Sequence, residues 1–169
     1  MTNSAVRFGG VFHCEVRDAQ GKLRDAFDIH NLVPDTGLNY LLNAGFGLSG
    51  ASANWYLGLL GNITPAANTT MASIAPTYEV TSYDGGVRIT YTPNGVTSTQ
   101  SITNSSSPAV FTMSADSVTC YGVFLTSSAT QGGTSGTLLA AALFSSPKTL
   151  DTDETLTVTY ALGAADDAV

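Results

Sequence analysis

Residues 6–16 read Val6-Arg7-Phe8-Gly9-Gly10-Val11-Phe12-His13-Cys14-Glu15-Val16. Val6, Phe8, Phe12, Cys14 and Val16 fall on one side of an extended chain, and Arg7, His13, Glu15 and the following Arg17 on the other. A period of two is the signature of a β-strand with one buried face. The next residues, "RDAQGK", are turn formers, and "LRDAFDIHNLV" returns as a second strand with Phe27, Ile29 and Val33 inward. Residues 1–33 are therefore expected to form an N-terminal β-hairpin.

The period changes once. In "PDTGLNYLLNAGF", Leu38, Leu41 and Leu42 stand at helical spacing. Asp35 or Thr36 suits the N-cap, and Gly45 suits the left-handed residue that stops a helix. Beyond it, "NWYLGLL" reads as a buried strand and "GNITPAANTTMASIAP" as a long polar loop. "VRITYT" puts Val87, Ile89 and Tyr91 on one face. "AVFTM", "SVTCYGVFLT", "TLLAAALF" and "ETLTVTYAL" complete the strands, the second of them apolar on both faces and hence central. Seven to nine short strands, Gly/Ser/Asn/Pro turns and one short helix predict a mainly β chain, an antiparallel β-sandwich of jelly-roll type. The sandwich spans residues 34–165, and residues 166–169 form an acidic tail.

Composition supports this reading. Only 11% of the 169 residues are charged, against ~25% in an average soluble domain. Ser, Thr and Gly take their place. A chain of this length buries roughly 70% of its unfolded surface as one domain, without metal or disulfide support. The net charge is −7, yet Arg7, Arg17, Lys22 and Arg24 all lie in the first 24 residues, with only Arg88 and Lys148 beyond. An acidic chain lacks the basic footprint that nucleic acid requires. Its basic end can steer it toward an acidic partner, or be an ordinary solvated hairpin. A signal peptide and a membrane span are not expected. Cys14 and Cys120 are far apart in sequence and fall in strands. Reduced, buried thiols are the default, and a bridge between them stays open.

"GFGLSG" at 45–50 has the G-x-G-x-x-G spacing of a dinucleotide loop. That spacing acts only between a strand and a helix, where a pyrophosphate meets the helix N-terminus. Here it follows a helix, so its glycines read as a helix stop and loop, and no nucleotide cofactor is implied.

Other chemistry is thin. The histidines are His13 and His30, and no serine lies in a G-x-S-x-G elbow. Asp28 and His30 share a strand face. Whether His13 meets His30 depends on hairpin register, and a turn centred on Gly21-Lys22 would join them. Two imidazoles, even with Glu15 or Asp28, carry no zinc spacing. Asp151–Glu154 and Asp166-Asp167 are adjacent acids without a calcium loop. Asn62, Asn68 and Asn104 head N-x-S/T triplets that read as polar loops. Trp55 and Tyr56 read as core. No catalytic residue, metal or cofactor is assigned.

The order of "HNLVPDTGLNYLLNAGF", "NWYLGLLGNITPA", "YEVTSYDGGVRITYT" and the run from "ITNSSSPAVFTM" to "TLTVTYAL" resembles a family of small virion proteins of tailed bacteriophages. Some of its members look like head decoration, or cement, proteins. The resemblance implies a β-sandwich on the capsid surface of the virion, made in the host cytoplasm. It implies binding to the major capsid protein, and to itself as a dimer or trimer at symmetry axes, with no nucleic acid and no membrane. Arg7, Arg17, Lys22 and Arg24 are the expected capsid contacts of the hairpin. A tail- or fibre-associated receptor-binding protein is the alternative.

Overall fold

The structure is a computed structural model and describes residues 6–48, 50–94 and 100–166. The expected β-sandwich is what forms: two antiparallel sheets face each other over one main core. In the first sheet, β1 (Val6–Arg17) lies between β2 (Leu23–His30) and β10 (Thr155–Asp166). The outer edge of β10 is shared by β6 (Ser101–Thr103) and β7 (Ala109–Thr112). In the second, β8 (Val118–Thr126) runs between β3 (Trp55–Leu60) and β9 (Leu138–Leu150). The edge of β3 is shared by β4 (Glu79–Val80) and β5 (Ile89–Tyr91).

Alternation dictates the packing. β1 and β10 pair over their whole length, with Phe12 opposite Tyr160 and Cys14 opposite Val158. Phe12, Cys14, Val16, Leu156, Val158 and Tyr160 are all buried, and the Phe12 and Tyr160 rings stack with centroids 4.1 Å apart. Each such side chain contributes about 1.5–3 kcal/mol on burial. Of the acidic tail, only Asp166 is described, and it ends β10.

β8 is buried on both faces, as its composition predicts. Cys120, Val123 and Leu125 join the main core, while Phe124 joins a second cluster with Leu60, Leu138 and Ala141. A register shift between Cys120 and Gly122 reverses the alternation, so residues three apart share a face. The stretch expected to be a long polar loop covers the second cluster. It contains the one-turn helix α2 (Met71–Ile74), whose Met71 and Ile74 are buried, with Thr70 and Ser73 in a capping box. Two buried residues in a polar context were too weak a periodic signal to show this.

Helix α1 (Asp35–Gly45) forms as expected, but with a different face and different caps. Gly37, Tyr40 and Leu41 turn inward and Leu42 is exposed, because Gly37 lies against the backbone of β9. A Cβ there would come within 2.7 Å of Leu139 O. Pro34 is the N-cap, and Thr36 instead donates its hydroxyl to Leu138 O at 3.0 Å. The helix stop sits two residues beyond Gly45. Gly47 takes φ +68°, with Leu48 N bonded to Asn43 O and Gly47 N to Ala44 O. This is a Schellman turn.

Candidate functional site

The hairpin was the expected contact site, and its register decides what its side chains do. Asp18 O accepts from Gly21 N, and Asp18 Oδ1 accepts from Gln20 N and Lys22 N, with Gly21 at φ +79°. This turn is centred one residue earlier than the one that would join the histidines, and a bulge follows at Arg17. His13 consequently stands opposite Asp28, and His30 opposite Val11.

On the outer face, His13 Nδ1 lies 2.6 Å from Asp28 Oδ1, and Nε2 lies 3.7 Å from Glu15 Oε1. Arg17 Nη2 donates to Glu15 Oε2 at 2.7 Å and Nη1 to Gly21 O at 3.1 Å. The Arg17 hydrogen bond holds the Glu15 carboxyl below the usual range. Arg24 pairs with Glu154 across β1. Thr155, Thr157 and Thr159 of β10 extend the face. The result is a face of mixed sign rather than a basic patch. Arg17, Lys22 and Arg24 gather at the turn end, and Arg7 stands ten residues up β1, about 33 Å away. Among the described residues, no group of His, Cys, Asp and Glu is arranged to hold a metal ion.

Two further features leave no trace in the sequence periodicity. At one end of the sandwich, Tyr40, Trp55, Tyr91 and Tyr160 line an apolar pocket of about 270 Å³. Tyr40 and Trp55 meet edge to face at 5.0 Å, and Tyr40 Oη accepts from Ser52 N at 2.6 Å, which fixes the ring. Trp55 is half-buried at this pocket rather than sealed in the core. The second feature is the exposed end of α1. Phe46 and Leu48 are 80% and 77% exposed on the Schellman turn, next to the exposed Leu42.

Two of the remaining acids, Asp116 and Asp151, hold backbone turns together. Asp151 Oδ1 accepts from Ser117 N, and Asp116 Oδ1 accepts from Thr152 N and Thr152 Oγ1. The Thr152 bonds lower the Asp116 pKa. Cys14 and Cys120 are both free and buried. Asn104 is fully buried, not part of a polar loop.

No protein-family model, curated protein or solved structure matches this chain. Among the described residues, no helix is long and apolar enough to cross a membrane.

Proposed function

We propose that this chain is a virion structural protein, a decoration protein that binds the outer surface of an assembled phage head and stabilises the shell. The ordered resemblance of its segments to phage virion proteins motivates the reading. The observation that carries it is the apolar turn after α1. Two large side chains stand almost fully in solvent on a turn fixed by backbone hydrogen bonds, in a chain only 11% charged. Exposed apolar groups of this kind mark protein-binding surfaces. A protein that binds the expanded shell and not its precursor stabilises the former by mass action, copy by copy.

The hairpin face is the second contact. Deleting it would not test this, because β1 carries Phe12, Cys14 and Val16 into the core. Reversing the charges of Arg17, Lys22 and Arg24 leaves those residues in place. The primary experiment is to locate the protein by gold-labelled antibody on the phage that encodes it, then to measure binding to expanded and precursor shells. Label over the head, with Phe46→Ser/Leu48→Ser weakening expanded-shell binding at least tenfold, supports the reading. Label confined to the tail overturns it.

The pocket at Trp55 favours one second reading, a tail- or fibre-associated receptor-binding protein. Aromatic-lined pockets are common ligand sites, and tail-confined label would direct the search there.

A further inference from the structure

β2 is an edge strand. Among the described residues, β1 is the only strand paired with it. Asn31 N donates to Gly10 O at 3.1 Å. Alternation along the antiparallel ladder therefore turns the backbone groups of Ile29, Phe27 and Asp25 toward β1. Those of His30, Asp28 and Ala26 point away from the sheet. Arg24 is the residue that the register with β1 skips.

The edge is held in place from below. Phe27 meets Phe144 edge to face at 5.1 Å, Asp25 pairs with Lys148 Nζ at 2.8 Å, and Ile29 is buried. An inward-pointing charge normally guards an edge against pairing, but the charge of Asp25 is already matched by Lys148. The outward side chains are Arg24, Ala26, Asp28 and His30, all exposed.

We propose that two copies of this chain pair β2 against β2 across a twofold axis at Ala26, making one continuous sheet through both molecules. An antiparallel pairing about Ala26 sets Arg24 opposite Asp28 of the second copy, and Asp28 opposite its Arg24. Two small alanines meet on the axis. An axis at Asp28 or at Arg24 would set like charges face to face, and an axis at Phe27 would leave Asp28 opposite an alanine. An axis at Asp25 would leave Arg24 opposite an alanine, so within β2 only the Ala26 register matches charge with charge, and it does so twice because the interface is isologous. Asp28 meets His13 through Oδ1, which leaves Oδ2 for a second partner. Arg24 lies toward Glu154 across β1, so pairing with the second copy exchanges Glu154 for the facing Asp28. The dimer does not depend on a virion role. Arg24 is common to both contacts, but the dimer is read on the purified chain with no shell present, so the two readings can fail separately.

The experiment is light scattering on the purified full chain up to about 1 mM, which populates a dimer of millimolar Kd, with cysteine crosslinking. The wild type is expected to show twice the 17.4 kDa chain mass. Ala26→Cys is expected to form an intermolecular disulfide under mild oxidation, since the two Cβ atoms would face each other on the axis. Arg24→Asp should shift the protein to monomer, and Arg24→Asp/Asp28→Arg should restore the dimer. Ala26→Pro removes only an outward N–H, so the fold survives, as circular dichroism will verify, while pairing is lost. Monomer mass at every concentration with no Ala26→Cys crosslink overturns the proposal. So does a dimer that persists in Ala26→Pro, or a charge swap that fails to restore what Arg24→Asp removed.

Discussion

Arg88 and Glu79 meet inside the protein as a bidentate pair: Nε and Nη2 donate to Oε1 and Oε2 at 2.8 Å each, and neither side chain reaches solvent. The pair is also a clip. Arg88 donates to Ser128 O and Gly133 O at 3.0 Å, and Glu79 accepts from Gly132 N at 2.9 Å. The loop between β8 and β9 is thereby tied to β4 and to the start of β5. The guanidinium also sits 5.3 Å from the Phe124 ring centroid, a position in which the ring face attracts a cation.

Removing one partner leaves the other charge buried and uncompensated. Arg88→Met should cost about 3–5 kcal/mol. Arg88→Met/Glu79→Leu should recover part of that loss, because no unpaired ion remains. Urea denaturation of the two variants checks this. Equal losses in the single and double variants would show that the orphaned Glu79 charge carries no penalty.

This clip marks the limit of what the sequence makes legible. Alternation is strict in β10 and in β1 from Phe8 onward, so each face is legible residue by residue there; Val6, expected inward, lies beyond the core at the strand end and is 64% exposed. The same rule applied to "VRITYT" predicts Val87 inside and Arg88 outside. The structure has Val87 49% exposed and Arg88 buried. Val87 follows Gly85 and Gly86, both at positive φ, and precedes β5, so strand periodicity does not yet apply. The partner that draws Arg88 inward is nine residues away, and nothing in local spacing encodes it. The same holds for the hairpin. Its strands were legible, but the cross-strand neighbour of His13 depends on a one-residue difference in turn centre. The pocket at Trp55 arises from long-range packing among α1, β3, β5 and β10, and a period cannot express that.

Gly58 shows how closely the central strands pack. A Cβ on it would lie 2.3 Å from Phe124 Cζ, on the paired residue of β8. Gly58→Ala should cost about 1–3 kcal/mol through overpacking. Adding Phe124→Leu removes the ring that the new methyl meets. The double variant should therefore lose less than the sum of the two single losses. A double-mutant cycle by thermal denaturation measures the coupling, and additive losses would contradict the steric account.

Burial pushes the thiols of Cys14 and Cys120 up to about 12 from 9.0, with the Asp28 charge adding to the effect at Cys14. A pKa raised on folding contributes stability that is complete below the unfolded value and lost as pH rises through the folded one. The contribution is thus whole below about pH 9 and fades toward pH 12, a range in which Tyr91, also raised to about 12 by burial, acts the same way. Melting temperature should fall over that window, and less steeply in Cys14→Ala/Cys120→Ala. Ellman's reagent should find no reactive thiol in the native protein at pH 8 and two after denaturation. Rapid native labelling would show that the thiols are not sealed in.

Asn104 fills a gap between two strands. β7 pairs with β10 from Thr155 to Val158 and β6 from Ala161 to Gly163, so among the described residues Thr159 and Tyr160 have no strand partner on that side. The Asn104 side chain supplies one: Oδ1 accepts from Tyr160 N at 2.7 Å, and Nδ2 donates to Val158 O at 3.3 Å. Asn104 N reaches Tyr160 O at 3.4 Å. An amide can do this because it carries donor and acceptor on one planar group, as a peptide does. Asn104→Ala leaves a buried N–H and C=O unmatched and should cost about 1–3 kcal/mol. Asn104→Asp keeps the shape but loses the donor when ionised, which places a buried carboxylate against Val158 O. Its pKa must rise on folding, so that variant should gain stability relative to wild type as pH falls toward the carboxyl range. Urea denaturation of the three proteins across pH 4–8 checks both statements. An Asn104→Asp variant as stable as wild type at pH 8 would mean that the donated bond to Val158 contributes nothing.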